Sequence, residues 1–154
     1  ENFEVLIVGG DARAETQVEL LRAQAAALGV DHHISFVGAV EHDKLPLYYN
    51  AADVCVVPSY YESFGLVAVE SMACGTPVVA SRVGGLTSTV SDGETGYLIP
   101  WRCPEPFVER LELLLDNDEL RASFGRAGRE AVERYRWANV ADAVAALYES
   151  LLPA

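Results

Sequence analysis

Two carboxylates bracket one short stretch of this chain. Glu62 and Glu70 stand eight positions apart in YYESFGLVAVE, Tyr60–Glu70. Between them lie Ser63, Phe64 and Gly65, then an apolar run. A carboxylate accepts several hydrogen bonds, which suits the hydroxyls of a sugar. A helix starting near Phe64–Leu66 would add unpaired N–H groups and roughly half a positive charge, which suits phosphate. Gly65 lets the backbone approach a ligand closely. An acid at each end of such a helix start fits a nucleoside diphosphate joined to a sugar. Glu70 would take the two ribose hydroxyls, and Glu62 the hydroxyls of the second sugar. The plainer alternative makes Glu62 a loop charge and Glu70 a solvated helix residue.

The elements around this stretch must position it. FEVLIVGG (Phe3–Gly10) is a continuous apolar run closed by glycines, the pattern of a strand buried on both faces. Val18, Leu21, Ala25 and Leu28 repeat at helical spacing, and Gly29 stops that helix. HISFVG (His33–Gly38), VCVVP (Val54–Pro58), PVVASRV (Pro77–Val83) and TGYLIP (Thr95–Pro100) read as further strands. A short helix entered from Asp43 is interrupted or reset by Pro46. The helix holding Glu70 ends at Gly75, with Pro77 enforcing the break. Gly84-Gly85 opens a short helical turn. Three amphipathic helices follow, marked by Phe107, Leu111 and Leu114, by Leu120, Phe124, Ala127 and Ala131, and by Val140, Val144, Leu147 and Leu151. Strands alternating with helices predict an α/β fold, an open parallel sheet with helices on both faces. In such a sheet ligands bind beyond the carboxyl ends of the strands, where Glu62 falls.

Composition limits the functions open to the chain. Its 154 residues suffice for one domain, residues 1–154, with a core of its own. The formal net charge of −12 argues against a nucleic-acid surface but leaves a phosphate ligand open, since backbone N–H groups can hold it. No apolar stretch approaches the roughly 20 residues of a membrane span. Cys55, Cys74 and Cys103 show no metal-ligand spacing and read as buried reduced thiols, consistent with a cytoplasmic setting. Asp116-Asn117-Asp118 matches an Asp-x-Asp metal motif, but between two amphipathic helices it reads as a stop and an N-cap. His32, His33 and His42 read as surface or turn residues. Arg82 follows a strand and reads as a solvated charge within possible reach of a phosphate. Trp137 opens the last helix and is expected in the core.

Glu62–Glu70 resembles the E-x7-E motif of retaining GT-B glycosyltransferases of family 4. So, in the same order, do VGG at Val8–Gly10, FVGAV at Phe36–Val40 and LYYNAADVCVVPS at Leu47–Ser59. ESMACGTPVVASRVGG at Glu70–Gly85, VSDGETGYLIP at Val90–Pro100 and YRWANVADAVAALY at Tyr135–Tyr148 continue the series. The resemblance covers nearly the whole chain and implies a Rossmann-like domain, the C-terminal half of a GT-B fold. It implies that Glu62, Ser63, Phe64 and Gly65 face the donor sugar and Glu70 the ribose. Backbone N–H groups at Gly65 and Leu66 would meet the phosphates. The turn Val37, Gly38, Ala39 and Val40 would hold the base, largely through backbone atoms. Ser63 stands where that family often has Gly, and fits if its side chain caps the helix.

The donor implied is a UDP-sugar, with GDP- or ADP-sugars as alternatives, and no metal or other cofactor. The family's catalytic Arg–Lys pair and its N-terminal acceptor domain are not matched here. The chain therefore reads as an excised donor-binding piece, lacking the first strand of its domain. Its parent would be cytoplasmic or peripheral at the membrane, and the acceptor is unassigned. Two rival readings are a non-catalytic nucleotide- or protein-binding domain and a GT-B-like nucleotide-sugar epimerase.

Overall fold

The computed structural model describes residues 3–10, 15–100 and 102–151. The chain gathers into two compact units, Glu1–Leu45 and Pro46–Ala154. In the first, β1 (Val5–Val8) pairs in parallel with β2 (Ile34–Gly38), and α1 (Glu15–Leu28) connects them. Gly29 ends α1 at φ +70°, with its N–H on the Ala26 carbonyl at 3.1 Å. β2 starts one residue later than the sequence predicts. His33 belongs instead to a 3-10 turn, Asp31–His33, where its ring stacks on Phe3 with centroids 4.4 Å apart. The run entered at Asp43 is reset beside Pro46: a 3-10 turn, His42–Lys44, gives way at Leu45 to an α-helix that Pro46 does not break. Pro46 is the second residue of α2 (Leu45–Ala51), where a first-turn N–H has no helical partner to lose.

The second unit is built on β3 (Cys55–Val57), β4 (Val78–Ser81) and β5 (Gly96–Ile99), paired in parallel in that order. Cys55 lies opposite Val78, and Val78 opposite Gly96. Central β4 is buried along its whole length. Alternate residues of a strand point to opposite faces, and the packing follows that period. Val78 and Ala80 join a cluster with Ala68 and Met72 of α3 (Leu66–Cys74) and Leu86 of α4 (Leu86–Thr89). Val79 joins Leu114 of α5 (Pro104–Leu115) and Phe124 of α6 (Asp118–Val132). The fold is thus α/β with parallel strands and helices on both faces of this sheet.

Helices α3 and α6 meet through glycine. A methyl group on Gly125 would lie 2.2 Å from the Gly75 carbonyl oxygen. That oxygen belongs to backbone, which cannot rotate away as a side chain would. Gly125→Ala is therefore expected to cost roughly 1–3 kcal/mol, as overpacking does. Urea denaturation should show a lower midpoint at an unchanged slope. Asp116-Asn117-Asp118 is the helix stop the sequence predicts: Asn117 caps α6, its side-chain oxygen receiving the Leu120 N–H at 2.9 Å.

Trp137 departs from expectation. It opens α7 (Trp137–Leu151) but is 87% exposed. Among the described residues of α7 none is buried. The stripe Val140, Val144, Leu147 and Leu151 has the helical period of a packed face, yet period alone does not supply a packing partner. Among the described residues no helix is long and apolar enough to cross a membrane.

Candidate functional site

In the second unit the loop after β3 carries Glu62, Ser63 and Phe64 and feeds α3. The turn after β4, at Gly84-Gly85, lies directly against it. The Gly85 N–H donates to the Glu62 carbonyl oxygen at 2.8 Å. A methyl group on Gly84 would lie 2.0 Å from that same oxygen, and one on Gly85 would lie 2.4 Å from the Phe64 Cα. The two loops are stacked backbone on backbone at the carboxyl ends of neighbouring parallel strands. Only residues without a β-carbon permit this approach. Gly65 adds a left-handed turn at φ +93° as the N-cap of α3. Phe64 lies edge-on to Tyr135, with centroids 5.3 Å apart.

The half-buried Glu62 turns back on its own loop. Its Oε1 accepts from the Phe64 N–H at 3.4 Å and the Gly65 N–H at 3.2 Å. Among the described residues no side chain caps α3; Glu62 instead braces the loop just before it and sets a negative charge near the helix N-terminus. The capping role open to Ser63 is not taken by its side chain. Two of the N–H groups expected to face a ligand carry this carboxylate instead. A carboxylate has about four acceptor positions, so Glu62 retains capacity toward a hydroxyl while it shapes the loop.

Glu70 is the fifth residue of α3 and is half-buried. The Tyr49 hydroxyl donates to its Oε2 at 2.9 Å. Tyr49 is itself held, since its carbonyl oxygen accepts from Thr76 Oγ1 at 2.6 Å. The Thr76 carbonyl in turn accepts from Ser71 Oγ at 2.9 Å. Burial first, then the hydrogen bond to Glu70 and its negative charge, push the Tyr49 phenol well above its ordinary value. The phenol therefore keeps its proton and stays a donor. Glu70 is no freely solvated charge, and the sequence reading missed Tyr49 altogether. The only local signal was the apolar-aromatic run LPLYYNAA, which reads equally well as core.

The turn expected to hold a base lies in the first unit. β2 ends at Gly38 with φ +79°, and the Gly38 carbonyl accepts the Gly9 N–H at 2.8 Å. Val37, Gly38 and Val40 are half-buried, while Ala39 is exposed. The paired strands therefore end together in a glycine-rich turn.

Arg82 is tied down rather than loose. It pairs with Asp92 and donates to the Leu98 carbonyl at 3.1 Å. Burial works against the Asp92 charge, but the Leu98 N–H and the Arg82 guanidinium hold its carboxyl below the usual range. A cleft of about 360 Å³ opens beside this pair, lined also by Tyr97 and Arg110. Neither Glu62 nor Glu70 lines it. Cys55 and Cys74 are half-buried free thiols rather than fully buried ones, and burial raises both.

The site is thus a parallel α/β unit with one acid before and one acid inside the helix that follows its first strand. Residues 1–131 match the family of glycosyl transferases group 1, and the chain belongs to it. A D-inositol 3-phosphate glycosyltransferase of Corynebacterium efficiens is 44% identical over 147 residues, covering 96% of this chain and 35% of the relative. Among solved structures, sucrose-phosphate synthase from Thermosynechococcus elongatus matches with a TM-score of 0.87 and 39% identity. That match covers 96% of this chain and 38% of the other. Anabaena HepE, solved in complex with UDP, matches with a TM-score of 0.88 at 26% identity, over 97% of this chain and 41% of the other. These neighbours are GT-B glycosyltransferases, so the chain has the fold of a C-terminal GT-B domain. It spans about a third of the length of the curated relatives it matches.

Proposed function

We propose that this chain binds the nucleoside-diphosphate-sugar donor of a retaining glycosyltransferase, with UDP as the nucleotide. One observation carries the reading. Glu62 and Glu70, both half-buried, flank the N-terminus of α3 on a loop held backbone to backbone by Gly84-Gly85. Glu70 takes the ribose hydroxyls. Glu62, already fixed through the Phe64 and Gly65 N–H groups, offers its remaining acceptor capacity to the donor sugar along with Ser63 and Phe64. The start of α3 supplies the Leu66 N–H and the helix dipole to the diphosphate, and Gly65 lets the backbone approach it closely. The glycosyltransferase relatives support the class of reaction, and HepE, solved with UDP, supports UDP.

In this reading the whole protein transfers the sugar to an acceptor hydroxyl with retention. Charges and dipoles set in advance stabilise the departing diphosphate and an oxocarbenium-like sugar. No metal or cofactor is given a role. The acceptor site belongs to an N-terminal GT-B domain that partners this one, and the Arg–Lys pair to a strand–loop–helix segment upstream of Phe3. Supplying a leaving group with preorganised charge contributes on the order of several kcal/mol of barrier. This chain by itself is therefore expected to bind donor and not to turn it over.

A thermal-shift panel of UDP, GDP, ADP and their glucose conjugates tests the proposal. Ligand at about 100 times its Kd stabilises by roughly 2.7 kcal/mol, a rise of several degrees for a domain of this size. UDP and UDP-glucose should raise Tm most. Flat melting curves across the panel at millimolar ligand would remove the proposal.

A further inference from the structure

The contact between Tyr49 and Glu70 joins residues 21 positions apart, on α2 and α3, and is partly buried. Its geometry is over-determined. Thr76 Oγ1 holds the Tyr49 carbonyl, and Ser71 Oγ holds the Thr76 carbonyl, so the ring is aimed from a backbone anchored to the far end of α3. A tyrosine buried for packing also finds an acceptor for its hydroxyl, but here the acceptor is the Glu70 carboxylate and the Tyr49 backbone is itself held. A carboxylate that must meet a vicinal diol gains from a fixed plane. An unfixed side chain gives up rotamer freedom on binding, and one already held does not.

We propose that Tyr49 is a positioning residue whose hydroxyl sets the plane of the Glu70 carboxylate for the ribose diol, and so tunes the preference for ribo- over 2′-deoxyribonucleotides. The inference rests on the reading of Glu70 as the ribose-binding acid. Tyr49 touches no ligand in this scheme and acts only through Glu70.

The test measures Kd by calorimetry for UDP, GDP and ADP, each beside its 2′-deoxy form. The proteins are wild type, Tyr49→Phe, Glu70→Gln and the double variant. Wild type should prefer the ribo form by roughly tenfold, the size of a hydroxyl–carboxylate hydrogen bond. Glu70→Gln should abolish most of that preference. Tyr49→Phe should cut it to about threefold or less, with the deoxy form bound nearly as by wild type. The double variant should match Glu70→Gln alone, as coupled residues do.

Tyr49→Phe with an intact ribo preference overturns the inference while leaving the role of Glu70 standing. Equal weakening of ribo and deoxy forms, accompanied by a lower Tm, also overturns it and makes Tyr49 a folding contact. A wild type that binds nucleotides without ribo preference removes the reading of Glu70, and one that binds none removes the donor site. The inference falls with either result.

Discussion

Gly84→Ala is expected to be the most damaging single-methyl change near the site. Gly84 sits at φ +45°, and its added carbon would fall 2.0 Å from the Glu62 carbonyl oxygen. Neither partner can yield by rotating a side chain, since both atoms belong to backbone. Either the turn after β4 or the Glu62 loop must move. Overpacking and an unfavourable φ together should cost roughly 2–4 kcal/mol, or about 5–15 °C in Tm. Because Glu62 moves with its carbonyl, UDP-glucose binding should fall further than the lost stability explains. Calorimetry well below the melting transition separates the two effects. A variant with wild-type Tm and wild-type donor affinity would show that the stacked loops are incidental.

The pair Glu62→Gln and Glu70→Gln should divide one ligand between two acids. A charged acceptor of a hydroxyl hydrogen bond contributes roughly 1.5–3 kcal/mol, about one to two decades in affinity. Glu70→Gln should weaken UDP and UDP-glucose by similar factors, since both carry the ribose. Glu62→Gln should leave UDP nearly unchanged and weaken UDP-glucose, since only that ligand carries the second sugar. The structure makes glutamine the right probe at position 62. Its side-chain oxygen can still accept from the Phe64 and Gly65 N–H groups, so the loop is kept. Glu62→Ala removes those two loop hydrogen bonds as well and should cost a further ~1–2 kcal/mol of stability. Uniform weakening of every ligand by Glu62→Gln would make this acid a loop brace and nothing more. Wild-type binding by both variants would make the pair ordinary surface charge.

Much of the fold was legible in the chain alone, because its signals are local. The apolar runs ending in glycine, the helical spacing after them and the Gly75–Pro77 stop depend on neighbours a few positions away. So does the cap at Asn117, where the acceptor and the N–H it serves are three residues apart. The eight-residue spacing of Glu62 and Glu70 likewise set one acid before a helix and one inside it.

Tertiary structure decided the rest, through contacts at long separation that no period encodes. Tyr49 reaches Glu70 across 21 positions and Thr76 reaches Tyr49 across 27. Gly84 and Gly85 look like helix-turn punctuation in sequence, yet their function is to let one backbone lie against another. Glu62 could be assigned to a ligand by type, but only its folded position shows it bracing its own loop through the Phe64 and Gly65 N–H groups. Trp137 and the stripe behind it have the pattern of a core face. Whether such a face is covered depends on what packs against it, and a hydrophobic period carries no record of its partner.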